Sequence, residues 1–188
     1  FYKKAVMRHL YAHGGQKTLL SKNPAFSPKI QSLIDTFPDA RFIYLVRDPV
    51  ETCTSTVSWF SVWFNNFSSP TEEFPYKDET IELMKLWYSY PREVLARLPR
   101  DRYLVIQYDD FVADPESTII GIYKKFGVRL SPRFARTLKN ETQKARHFKS
   151  SRETTAESIG MSKAEIRKRF ADVAAYIRDT SQKPVAAR

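Results

Sequence analysis

Phe42-Ile43-Tyr44-Leu45-Val46 is an unbroken apolar run. A run of this length and composition suits a strand covered on both faces, as in a parallel sheet. The segment after it is equally definite. Asp48 is a good N-cap, Pro49 stands where proline is favoured at the first helical position, and Glu51, three residues after the cap, completes an acidic variant of the capping box. A helix therefore starts at Pro49 and is expected to run to about Phe64. A buried strand passing directly into a capped helix is the unit from which layered α/β folds are built.

The rest of the chain fits that frame. Residues 1–13 read as a helix stopped by Gly14-Gly15, and residues 18–21 as a short apolar strand. A helical stripe runs from Pro28 to Phe37. Residues 78–98 are helical in pattern, with Ile81, Met84, Leu86 and Trp87 expected inside and Pro91 as a break or kink. Residues 103–108 form a third strand. Two helices follow, 115–126 closed by Gly127 and 132–144. A loop spans 145–162, and a basic amphipathic helix spans 163–179. Strands separated by helices imply an α/β fold with a parallel sheet flanked by helices. The 188 residues suit one domain over 1–180 with a flexible tail at 181–188.

The net charge of +10 calls for an anionic partner, and nucleic acid, an anionic membrane surface and a polyphosphorylated cofactor all qualify on charge. The aromatic residues Trp59, Phe60, Trp63 and Phe64 fall on a helix, where core packing is the expected role, and no RNA-binding signature appears. Nucleic acid is therefore not the expected partner. With one cysteine, Cys53, no intrachain disulfide can form. His9 and His13 stand at i and i+4, but no acid completes a ligand set, so no metal is expected. No apolar run approaches the ~18 residues of a membrane span.

Arg47 sits at the carboxyl end of the predicted strand, the edge of an open α/β sheet at which ligands bind. Its guanidinium is a planar fork of donors matched to two phosphate oxygens. Ser55, in the second turn of the helix, adds a hydroxyl donor. The competing reading pairs Arg47 with Asp48 or a carbonyl and leaves Ser55 a spacer.

Four segments in this order and spacing resemble the sulfotransferase family. Leu20-Ser21-Lys22-Asn23-Pro24 is similar to its K-[SDN]-P element, and Phe37-Pro38-Asp39-Ala40-Arg41 to the turn leading into the strand. Phe42 to Pro49 with Ser55 resembles the 3′-phosphate-binding strand–helix element, and Tyr108 to Pro115 the element whose tyrosine lies by the adenine. The resemblance implies a P-loop nucleoside triphosphate hydrolase-like fold. It also implies transfer of the sulfuryl group of 3′-phosphoadenosine 5′-phosphosulfate (PAPS) to a hydroxyl acceptor of unknown class, releasing 3′,5′-ADP, with no metal. It assigns Arg47 and Ser55 to the 3′-phosphate, Tyr108 to the nucleotide, and Lys22 to the bridging oxygen as the catalytic cation. Arg146 to Arg152 resembles, loosely, the late basic loop over the 3′-phosphate, which adds Lys149 and Arg152. Where some relatives carry a histidine base this chain has Phe26, and His147 is the downstream candidate. The family's amino-terminal phosphosulfate loop has no counterpart here, so a preceding segment is expected, and this chain by itself is expected to be inactive. The compartment, cytoplasm or Golgi lumen, would follow from that segment. A nucleic-acid-binding module and a P-loop kinase-like protein are the alternative readings.

Overall fold

The computed structural model describes residues 1–69, 73–145 and 154–178 and divides the chain into two compact units, Phe1–Ala40 and Arg41–Arg188.

The amino-terminal unit opens with α1 (Tyr2–Ala12), which ends at Gly14 and Gly15, both at positive φ (86° and 68°). Glycine carries no Cβ penalty there. A 3₁₀ helix (Pro24–Lys29) follows, capped by the Asn23 side chain accepting from the Ala25 N–H at 3.0 Å, and leads into α2 (Ile30–Thr36). Residues 18–21, expected as a strand, are not one; Leu20 is exposed. A strand needs a ladder partner, and the only pairing among the described residues joins two later strands.

In the second unit β1 (Phe42–Val46) runs straight into α3 (Pro49–Phe67), as the sequence predicts. The Asp48 carboxylate accepts from the Val50 N–H at 2.8 Å, closing the helix start. Pro91 lies inside α4 (Lys77–Leu95) without ending it. β2 (Tyr103–Gln107) pairs with β1 in parallel, Phe42 against Tyr103 through Val46 against Gln107. A parallel pair needs a long crossover, and α3 and α4 supply it. The remaining helices are α5 (Tyr108–Ala113), α6 (Pro115–Lys125), α7 (Pro132–Ala145), α8 (Lys163–Arg169) and α9 (Ala174–Arg178).

The two strands differ in burial. β2 is inside over Tyr103, Leu104, Val105 and Ile106; Leu104 and Ile106 join Phe126, Phe111 and Ile122 in one apolar cluster. β1 alternates instead: Val46 is buried, whereas Ile43 and Leu45 are 41% and 44% exposed. The expectation of a strand covered on both faces thus fails for β1; it is β2 that is buried along its length. The larger core lies between helices, where α3 packs on α4 and α8. It contains Val50, Cys53 and Val57 of α3, Ile81, Met84 and Tyr88 of α4, and Ile166 of α8. Phe170 is also buried and meets the Tyr88 ring edge-on, centroids 5.8 Å apart. Leu86, expected inside, is 43% exposed.

The single helix expected over 163–179 is broken into α8, a 3₁₀ turn (Ala171–Val173) and α9. Contacts from α4 account for the break. Asp78 binds Arg169, Lys85 reaches Asp172 at 2.8 Å, and Glu93 accepts from the Tyr176 hydroxyl at 2.7 Å. Among the described residues no helix is long and apolar enough to cross a membrane.

Candidate functional site

The register of the sheet positions the site. Val46 pairs with Gln107, so Arg47 and Tyr108 are the next residues at the carboxyl ends of two neighbouring parallel strands. There the Arg47 guanidinium lies over the Tyr108 ring, 4.4 Å from its centroid. Stacking on an aromatic face holds the fork by the attraction of a cation for the ring's negative face.

A second contact fixes the fork from the helix side. Arg47 Nε donates to Glu51 Oε2 at 2.7 Å. The competing sequence reading paired Arg47 with Asp48; the structure pairs it with Glu51, because Asp48 is engaged in capping α3. With Nε taken, the two terminal nitrogens have no hydrogen-bond partner among the described residues. Those are the two donors that a bidentate phosphate contact uses. Ser55 is exposed and lies one turn beyond Glu51, on the same face of α3. Arg47 and Tyr108 are therefore in contact, and Ser55 stands on the helix face that Arg47 reaches through Glu51.

The backbone under Arg47 is held from the core. The Tyr88 hydroxyl donates to the Arg47 carbonyl at 2.7 Å and lies 3.0 Å from the Thr52 hydroxyl. Thr52 in turn donates to the Asp48 carbonyl at 3.0 Å. Burial pushes the Tyr88 phenol up to about 12. Tyr44 of β1 donates to the Trp87 carbonyl at 2.8 Å, and burial raises its phenol in the same direction. Two tyrosines thus tie the strand end and α4 together. Sequence reading assigned Glu51 to the helix cap and missed its pairing with Arg47, and it missed Tyr88 altogether. The i+4 spacing from Arg47 was the available signal for Glu51; Tyr88 is forty-one residues away and has no local signal.

Lys22 is exposed in the amino-terminal unit, just before the Asn23 cap, and in that unit the Ser21 hydroxyl lies 3.0 Å from the Tyr2 hydroxyl. Lys149, Arg152 and His147 lie outside the described residues. The His9 and His13 rings lie tilted to one another with centroids 4.5 Å apart at the end of α1, and no cluster of metal-ligating side chains is present among the described residues. Trp59 and Trp63, expected in the core, are 51% and 49% exposed. They border an apolar groove between α3 and α4.

Comparison with known proteins bears on this geometry. Omega-hydroxy-beta-dihydromenaquinone-9 sulfotransferase Stf3 of Mycobacterium bovis is 28% identical over 115 residues, covering 60% of this chain and 29% of that protein. Its counterpart in Mycobacterium tuberculosis matches to the same extent. The chain thus spans less than a third of the length of these curated relatives. Sulfotransferase STF9 from Mycobacterium avium superposes with a TM-score of 0.66 at 20% identity, over 80% of this chain and 39% of that one. For sulfotransferase STF1 from Mycobacterium tuberculosis the TM-score is 0.62 at 22% identity, over 80% and 38%. These two show a shared fold, the α/β architecture with a parallel sheet that the sequence predicts. The profile described as the sulfotransferase family matches residues 2–132, a span that contains Lys22, Arg47, Ser55 and Tyr108. By that match, over more than half of its length, the chain belongs to the sulfotransferase family.

Proposed function

We propose that this chain carries the 3′-phosphate-binding part of a PAPS-dependent sulfotransferase and that Arg47, Ser55 and Tyr108 form the grip. The observation that carries the reading is the Arg47 fork, stacked on Tyr108 and tethered through Nε to Glu51, with its terminal donors facing no protein acceptor among the described residues. Such a fork suits a phosphate monoester. The exposed Ser55 hydroxyl supplies a further donor. The residues therefore fit the nucleotide that the family uses.

Bound there, PAPS supplies the sulfuryl group, which passes to an acceptor hydroxyl with release of 3′,5′-ADP and the hydroxyl proton. Arg47 and Ser55 orient the nucleotide, and Tyr108 fixes the orientation of the arginine. Lys22 is the residue assigned to the charge that gathers on the bridging oxygen, where a fixed cation favours the transition state over the ground state. Stf3, named for its action on a hydroxylated dihydromenaquinone, supports a hydroxyl acceptor for this chain as well.

Calorimetric titration tests the reading. The chain is expected to bind 3′,5′-ADP at least tenfold more tightly than 5′-AMP. Equal affinity for the two overturns the assignment of Arg47 to a 3′-phosphate.

A further inference from the structure

Between Glu116 and Glu141 the chain carries six cations and no acid: Lys124, Lys125, Arg129, Arg133, Arg136 and Lys139. All six are exposed. They lie on the hairpin formed by α6 and α7. At its turn the Val128 N–H donates to the Tyr123 carbonyl at 2.9 Å, and the Tyr123 and Phe134 rings stack with centroids 5.4 Å apart. The stack sets the end of α6 beside the start of α7 and so gathers the cations. Leu138 and Thr142 are buried, and Arg133 and Arg136 stand on the opposite side of α7.

The fold itself has little use for this charge. Lys124 and Lys125 suit the carboxyl end of α6, where the helix dipole favours cations. Arg133 and Arg136 stand in the first two turns of α7, the end at which the dipole disfavours them. None of the six forms an ion pair among the described residues. The nucleotide is not the missing anion. Arg41, just before β1, donates to the Phe126 carbonyl at 2.7 Å, so the hairpin turn lies at the amino ends of the strands. Arg47 stands at their carboxyl ends.

We propose that the α6–α7 hairpin docks on an anionic lipid surface. Basic clusters are drawn to the negative potential of such a surface. Val128, exposed at the turn beside Arg129, adds an apolar tip suited to the headgroup boundary. A single-stranded nucleic acid would need rings on which to stack its bases. Here Tyr123 and Phe134 are half-buried and spent on each other.

Co-sedimentation of the full chain with lipid vesicles tests the proposal. Vesicles of equimolar phosphatidylcholine and phosphatidylglycerol should bind it at least tenfold more tightly than phosphatidylcholine alone. That binding should fade as salt approaches ~0.5 M. Each Lys or Arg near such a surface is worth roughly a fivefold factor. Arg133→Gln with Arg136→Gln, and Lys124→Gln with Lys125→Gln, should therefore each weaken binding at least tenfold. Affinity for 3′,5′-ADP should stay within twofold in both. Lys3→Gln with Lys4→Gln removes the same charge from α1 and should change vesicle binding less than threefold. Equal binding to the two kinds of vesicle overturns the proposal, and so does unchanged binding in both hairpin variants. A loss as large in the α1 variant overturns it as well, since net charge alone would then account for the attraction. Displacement from the vesicles by a DNA duplex of equal phosphate content would make the hairpin a nucleic-acid surface and overturn the lipid assignment.

Discussion

The Arg47 guanidinium lies 4.4 Å above the ring of Tyr108, and the two residues sit at the ends of strands whose last pair is Val46 with Gln107. The contact is a direct product of register. A one-residue slip of either strand would turn its own side chain to the opposite face of the sheet and separate the pair. Two positions sixty-one residues apart in the sequence are thereby made into one recognition element.

That relationship predicts the behaviour of Tyr108 variants. A cation over an aromatic face at an exposed site contributes ~0.5–1 kcal/mol. Tyr108→Leu should weaken 3′,5′-ADP binding by about that amount, a factor of roughly two to five. Tyr108→Phe keeps the ring face and should bind within twofold of the parent chain. Calorimetry on both variants checks this; equal losses in the two would show that the phenol hydroxyl, and not the ring, matters.

Arg47 and Ser55 are separable from the rest of the nucleotide by a comparison of ligands. Removing a charge-assisted bidentate contact costs ~2–3 kcal/mol, and removing one hydroxyl donor costs ~1 kcal/mol. Arg47→Ala and Ser55→Ala should show those losses with 3′,5′-ADP and almost none with 5′-AMP, which lacks the 3′-phosphate. Arg47→Lys keeps the charge but not the fork and should recover only part of the loss. Similar losses with both nucleotides would place these residues elsewhere on the ligand.

Glu51 gives a prediction of opposite sign. Its carboxylate holds Arg47 Nε at 2.7 Å and so orients the fork, but it also brings a negative charge close to the expected phosphate. Glu51→Gln keeps an oxygen acceptor for Nε and removes the charge. Affinity for 3′,5′-ADP should rise by ~0.5–1 kcal/mol at low ionic strength, since both side chains are partly exposed and the interaction is screened by water. The gain should shrink as salt is raised toward 0.5 M, where screening extends over only a few ångströms. A loss of affinity at all salt concentrations would mean that the carboxylate charge is required to aim the arginine.

How much of this was legible in the sequence depends on the range of the interactions. The apolar run before Arg47 and the cap at Asp48 are local signals, and β1 and α3 form where they indicate. Leu20 lies in an apolar stretch as well, yet a strand there would need a neighbour that the described residues do not provide. The helix expected over 163–179 has the right periodicity, but Asp172 turns to Lys85 on α4 and Phe170 packs against Tyr88, and these long-range contacts interrupt it. At the site, Arg47 could be singled out because a strand end followed by a capped helix is a sequence pattern. Its stacking on Tyr108 depends on strand register, and its carbonyl's partner Tyr88 comes from a helix packed on α3. The tryptophans were misplaced for a related reason. Apolar character marks Trp59 and Trp63 for burial, but only the packing of α3 on α4 decides which part of α3 stays open to solvent.

Tyr88 should make stability fall steeply in alkali. Its phenol is pushed from 10.0 up to about 12, chiefly by burial, which disfavours the phenolate. The native state therefore holds this proton more tightly than the unfolded chain does. The resulting contribution is fully present below pH 10 and is lost as the pH rises toward 12. A shift of this size corresponds to a contribution on the order of 2–3 kcal/mol. Tyr44, raised in the same direction by burial, adds to the slope. Tyr88→Phe leaves the Arg47 carbonyl without its donor and should cost ~1–3 kcal/mol at pH 8. The variant has no phenol to ionise at that position, so its stability should decline less from pH 10 to 12 and the gap between the two proteins should narrow. Urea unfolding followed by circular dichroism at pH 8, 10 and 11 measures the gap. Parallel curves would show that Tyr88 ionises as an ordinary exposed phenol. The same variant should also bind 3′,5′-ADP more weakly, because the hydroxyl it lacks fixes the backbone from which Arg47 projects. An unaltered affinity would limit Tyr88 to stabilising the fold.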